Sequence, residues 1–374
     1  MVDNSIPFDY RQMHQYLNEI GTYLAELHYI DQVFAYMDEA ESSWWETAVD
    51  GVLSAGTSSG DTIVVDFVGT VSFKRTWRLP QTLPLRLPWQ DSFEEEVRGR
   101  IEKYKTEASE WASSNMDSIK SMTKPLAHPT GSVYLNDLIQ PSRDALARLE
   151  DFVTHDFGKL RQSLGHWSGE AADDFATNFY NPFEHTLASH QRMITALVTG
   201  LEGAHTIVDL TQQSLMNVLH KTRDALLEQL HRRAQQAAAM QKQAQEQSIK
   251  NAMIIVSAVI PIFKKQELWD TRLDLAGVAA SAAAGAASAG AMEEHALTGG
   301  TAEELLLSLG KAIQLIEDNA DHQYRDLDEK VSAVLSRMDL IRNTPSGEDG
   351  RLIPPQPRLI DGTNSSDFYL PDAR

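Results

Sequence analysis

The side chains that most often carry catalysis are present in this chain, but they do not gather into any pattern that catalysis needs. Twelve histidines are scattered along 374 residues. They form no His-Glu-x-x-His and show no metal-ligand spacing. His185 and His190 lie five apart and share a helical face poorly, while His220 and His231 lie on one face three turns apart. Adjacent acidic pairs such as Asp173-Asp174, Glu293-Glu294 and Glu303-Glu304 point apart on a helix, so they are read as solvated faces rather than as acid–base pairs. The chain has no cysteine, which excludes disulfides, thiolate ligands and a cysteine nucleophile. It also lacks a Gly-x-Ser-x-Gly elbow, a phosphate loop and a dinucleotide fingerprint; Gly285 and Gly290 lie in Ala/Ser-rich sequence where Gly pairs are expected. No catalytic, metal or cofactor residue is nominated, and the expectation is a non-enzymatic protein that works by binding.

The composition narrows the partner. With 53 acidic against 33 basic side chains the formal charge is −20, which repels phosphate backbones and argues against nucleic acid. Apolar residues at 42% and charged residues at 23% suit folded domains, and the length allows two or three. The first residues, from Met1 to Pro7, show no basic stretch followed by an apolar one, so a Sec signal peptide is not expected.

The one short motif with a structural reason behind it is Trp167-Ser168-Gly169, the only Trp-x-Gly in the chain. It falls between two amphipathic runs. Before it, Leu146, Leu149, Val153, Phe157, Leu160 and Leu164 recur in steps of three and four, and Gly165 ends the run. After it, Leu187, Ile194, Leu201, Val208 and Leu215 recur every seven residues, a seam suited to shallow-angle packing against another helix, with a polar gap at Thr211-Gln212. At the bend, Gly169 supplies backbone freedom, Trp167 supplies a large ring to seal the open end, and Ser168 is the expected cap of the following helix. Asn181-Pro182 is expected to break that second helix and restart it.

The segment from about 133 to 230 thus resembles the WXG family of type VII secretion substrates, helical hairpins with Trp-x-Gly at the turn. The resemblance implies export by an ESX-type machine of an actinobacterium or relative, by a non-Sec route from the cytoplasm to the surface or medium. It also implies pairing with a second hairpin, or with a second copy, into a four-helix bundle. The family's secretion signal, Tyr-x-x-x-Asp/Glu, has two matches, Tyr180…Glu184 and Tyr324…Asp328, and the second lies on a helix nearer the C-terminus.

The remaining elements frame that hairpin. Residues 6 to about 50 read as a helix with a stripe from Tyr16 and Ile20 to Phe34 and Met37. Thr62 to Phe73 reads as a strand or short hairpin interrupted by Gly69, and Ser92 to about Met122 returns to helix. Together they suggest a small mixed module over 1–125, followed by a linker from Lys124 to Gly131. The hairpin is assigned to 133–250, polar after Leu230. Residues 251–298, apolar and then Ala/Gly-rich, are expected to form a buried helical hairpin, because 252–263 and 276–291 are too short or too weakly apolar to span a bilayer. A C-terminal helix over 299–342 opens with a Thr301/Glu304 capping box, and 343–374 reads as an extended or disordered tail. The fold expected is mainly α, a long antiparallel hairpin or bundle with a small N-terminal α+β module. Two rival functions fit the same pattern. One is an α-helical pore-forming or membrane-remodelling protein that meets the bilayer through 252–291; the other is a cytosolic helical scaffold.

Overall fold

The computed structural model describes residues 7–50, 62–78, 88–127, 129–243, 258–262, 293–297 and 299–343. Among the described residues the chain is mainly α-helical, with two small antiparallel strand pairs. Helix α1 spans Tyr10–Asp50, and strands β1 (Thr62–Phe67) and β2 (Phe73–Arg78) form a hairpin before α2 (Pro88–Leu126). Next come α3 (Pro129–Asp151), a π turn (Phe152–Asp156) and α4 (Phe157–Leu164). After the bend follow α5 (Glu170–Phe175), a second π turn (Ala176–Tyr180) and the 63-residue α6 (Asn181–Gln243). Strands β3 (Ala258–Ile262) and β4 (Glu293–Leu297) pair before the last helix, α7 (Ala302–Asn343).

Two compact units divide these elements. The first holds α1, β1, β2, α2, α6 from Val208, β3, β4 and α7 as far as Asp321. Asp9 starts α1, its Oδ1 accepting the N–H of Arg11 at 2.8 Å and, less closely, that of Gln12. The expected stripe is then buried, with Ile20, Leu24 and Leu27 sealed from water. Helix α2 lies antiparallel to α1, since Met116 approaches Gly21, Trp111 stacks on His28 and Tyr104 meets Tyr36. The later part of α6 runs parallel to α1, with His220 beside Tyr16, Arg223 near Glu19 and Arg233 on Asp31. One core therefore joins α1, α2, Leu215 to Ala237 of α6 and Ala302 to Ile316 of α7. The small N-terminal α+β module is present, and its core is completed by helices from much later in the chain.

The β1–β2 hairpin closes this core. Pairing of Val65 with Arg75 and of Phe67 with Phe73 puts alternate residues inward, and Val65, Phe67 and Trp77 are buried. Arg75 shares the inward row. Its guanidinium lies 3.9 Å from the Phe34 ring centre and 2.6 Å from Asp38 Oδ1, which also accepts the Trp77 indole N–H. At the turn the Glu26 carboxylate accepts the N–H and hydroxyl of Thr70. A Cβ on Gly69 would stand 2.7 Å from that carboxylate, so a larger residue there would displace the Glu26 side chain from Thr70.

The second unit holds α3, α4, α5, α6 as far as Ile207 and α7 from His322. Partners across it run in opposite directions: Arg143 pairs with Glu202, Glu150 with Gln191 and Arg161 with Glu184. This is the long antiparallel helical hairpin the sequence predicts. Phe157, Tyr180 and Leu187 are its buried centre, flanked by Leu149, Val153, Leu164, Phe175 and Phe183.

Four expectations change. The linker from Lys124 to Gly131 is much shorter than predicted: α2 runs through Pro125 to Leu126, and Pro129 opens α3 at a first-turn position where its missing N–H costs nothing. Asn181-Pro182 does not break the second helix. Asn181 keeps helical angles (φ −62°, ψ −46°), and a π turn immediately before it widens the backbone where the proline lacks a donor and crowds the preceding turn. Ser168 is not the cap either; Gly169 takes that position, with no side-chain cap bond. Finally, the described parts of 251–298 are strands, Ala258 pairing with Leu297 and Ile262 with Glu293. Pro261 disfavours a helix through this β-branched stretch, whereas a two-stranded ribbon accepts it at an edge. The rest of 251–298 and the tail from 344 lie outside the described residues.

Candidate functional site: the hairpin tip

The bend is built from backbone hydrogen bonds. Gly165 ends α4 with right-handed angles (φ −62°, ψ −15°), its N–H donating to the carbonyl of Arg161 at 3.1 Å. The N–H of Trp167 donates to the Leu164 carbonyl at 2.9 Å, tightening the exit from the helix. Gly169 then turns the chain with φ +110° and ψ 175°, a region essentially reserved for glycine. Its carbonyl accepts from the N–H groups of Ala172 and Asp173, which begins α5. Nothing lies within 4 Å of where a Gly169 Cβ would stand, so backbone angle and not crowding selects glycine.

Trp167 stays 46% exposed, and its ring centre lies 5.5 Å from that of Phe175. From there an aromatic ladder climbs the second helix, Phe175 to Phe179 at 5.2 Å and Phe179 to Phe183 at 5.7 Å. Phe157, from the opposite helix, stacks on Tyr180 at 4.7 Å with ring planes 3° apart. Burial pushes the Tyr180 phenol up from its ordinary pKa, with Glu184 adding to the effect, and its hydroxyl has no hydrogen-bond partner among the described residues. Tyr180 therefore does not present the accessible side chain of a recognition signal.

Tyr324 and Asp328 do. Both are exposed one turn apart on α7, although partial burial of the ring raises the Tyr324 pKa. Along the predicted seam Leu187 and Leu215 are buried, and Ile194, Leu201 and Val208 are half-buried. Thr211 and Gln212, the polar gap, are buried where α6 enters the first unit. Trp167 and Gly169 sit at the bend as read from sequence, whereas the Phe175–Phe179–Phe183 ladder was missed; its four-residue spacing was the available signal.

Among the described residues, no group of three or more histidine, aspartate or glutamate side chains could hold a metal, and no helix is long and apolar enough to cross a membrane. An open groove of about 660 Å3 runs between α1 and α2, floored by Gly21, Ala25 and Ala112 and bordered by Glu102, Lys105 and Lys120. Its border charges differ in sign and mark out no single ligand. No family model, curated protein or solved structure matches the chain.

Proposed function

We propose that this chain is a type VII secretion-associated helical protein, exported or held at the cell surface, that acts by packing helices against a partner. The observation that carries this is the position of Trp167 and Gly169: the motif sits at the bend of two long antiparallel helices, with Gly169 in a conformation that other residues resist. The exposed Tyr324–Asp328 pair supports it as an accessible signal on a helix. Helix packing supplies binding without a reactive group, since each Å2 of apolar surface removed from water contributes about 25 cal/mol.

The test compares culture-filtrate and cell-lysate levels of the wild type, Trp167→Ala and Tyr324→Ala in a host with a working ESX system. The expected result is normal lysate levels with lowered filtrate levels for both variants. Unchanged export of both, or no export of the wild type, would overturn the proposal.

A further inference from the structure

The hairpin tip carries more than a bend requires. From Gln162 to Phe183 it holds Trp167, Phe175, Phe179, Tyr180 and Phe183, carboxylates at Glu170, Asp173 and Asp174, and neither lysine nor arginine. The three carboxylates are exposed, and none takes part in an ion pair among the described residues. The last lysine or arginine before them in the sequence, Arg161, already faces Glu184 at 3.8 Å. Glu170 and Asp173 lie in the first turn of α5, where negative charge suits the helix end. That accounts for two of the charges, but not for Asp174 or for an exposed indole at the head of an aromatic ladder.

Aromatic rings supply apolar contact area at little entropic cost, and flanking charges select a partner by sign. An anionic membrane surface would meet like charge here, and so would the tip of a second copy. We infer that the hairpin tip is a docking surface for a basic amphipathic segment of a partner protein. Apolar side chains of that segment lie on Trp167, Phe175 and Phe179, and its lysines or arginines face Glu170, Asp173 and Asp174. The inference rests on the reading of the hairpin as a partner-recognition module and narrows the partner to a cationic one.

The test uses the purified full chain and a fluorescent 18-residue leucine/lysine model helix, with a leucine/glutamate helix of equal length as control. Binding is followed by anisotropy. A tip variant (Glu170→Lys, Asp173→Lys, Asp174→Lys) is compared with a control variant that reverses three exposed carboxylates on α2 (Glu95→Lys, Glu110→Lys, Asp117→Lys), with Trp167→Ala as a third protein. Circular dichroism confirms the helix content of each. The expected result is about tenfold weaker binding of the lysine helix by the tip variant, as three exposed ion pairs together allow. The α2 variant should bind within about twofold of the wild type, Trp167→Ala should weaken binding with all charges intact, and the glutamate helix should not bind. Equal loss in the tip and α2 variants, wild-type binding by the tip variant, or binding of the glutamate helix would overturn the inference. So would partition of Trp167 into phosphatidylcholine vesicles. Because this assay takes place outside the cell, its failure leaves the export experiment standing, and the reverse also holds.

Discussion

The Arg233 guanidinium stands 2.7 Å from the Asp31 carboxylate, joining α6 to α1 inside the first unit. Arg233 also donates to the Gly300 carbonyl, so the pair fastens the start of α7 as well. One limb of the predicted capping box closes that start, the Glu304 N–H donating to Thr301 Oγ1, while the Glu304 carboxylate accepts the N–H of Gly300 at 2.7 Å rather than that of Thr301.

Burial raises the Asp31 pKa from 3.8 to about 6, outweighing the opposing pull of Arg233 and the Ala302 N–H, while Glu303 pushes the same way as burial. Because the folded value lies above the unfolded one, the protonated carboxyl favours the fold. That contribution is complete below about pH 4 and is lost as pH rises through about 6. Relative to Asp31→Asn, which does not titrate, the wild type should lose about 2 kcal/mol of stability between pH 4 and pH 7. Urea unfolding of both proteins at stepped pH measures this, and a constant difference between them would refute the assignment.

Gly169 and Gly165 bracket the same bend but make opposite demands. Gly169→Ala forces a Cβ into φ +110° and should cost about 1–3 kcal/mol. Gly165→Ala keeps ordinary helical angles and should change stability by less than about 1 kcal/mol. Thermal melts of the two variants, side by side, separate a backbone requirement from general sensitivity of the turn.

The heptad positions differ in depth, and their truncation should reflect it. Leu215 is fully buried in the core of the first unit, so Leu215→Ala should cost about 2–5 kcal/mol. Leu201 is half-buried, and Leu201→Ala should cost less than half as much. Chemical denaturation midpoints check the ranking.

The β1–β2 hairpin depends on the Arg75–Asp38 contact, since Asp38 bonds both Arg75 and the Trp77 indole. Asp38→Ala should cost about 1–3 kcal/mol, and Asp38→Asn, which keeps an acceptor oxygen, should cost less. Increased hydrogen exchange confined to β1 and β2 in the alanine variant would locate the loss.

Local periodicity made the helices legible, and local chemistry made their ends partly so. The stripe from Tyr16 to Met37 and the Thr301–Glu304 cap need only residues a few positions apart, and both are found where the sequence places them. The core shared by α1 with Leu215 and Ile313 depends on contacts hundreds of residues apart in sequence, which no periodicity reports. The π turns were illegible for a different reason. A proline such as Pro182 signals that a helix must adjust, but widening and breaking are alternative adjustments, and packing of Phe157 on Tyr180 accompanies widening here. The bend of the candidate site was readable because glycine and tryptophan are distinctive residues. Its aromatic ladder was not, since three phenylalanines at four-residue steps also describe an ordinary buried face.

The two π turns, Phe152–Asp156 and Ala176–Tyr180, flank the Phe157–Tyr180 stack on opposite helices of the hairpin. Each accommodates one residue more than an α-helical turn of the same rise, so each is a place where chain length can change by a single codon without rotating the flanking helix. Elsewhere in these helices one deletion swings every later side chain by about 100° and scrambles the seam. Loss of a codon should therefore be tolerated at these two places, leaving the distal loop in phase with the stem.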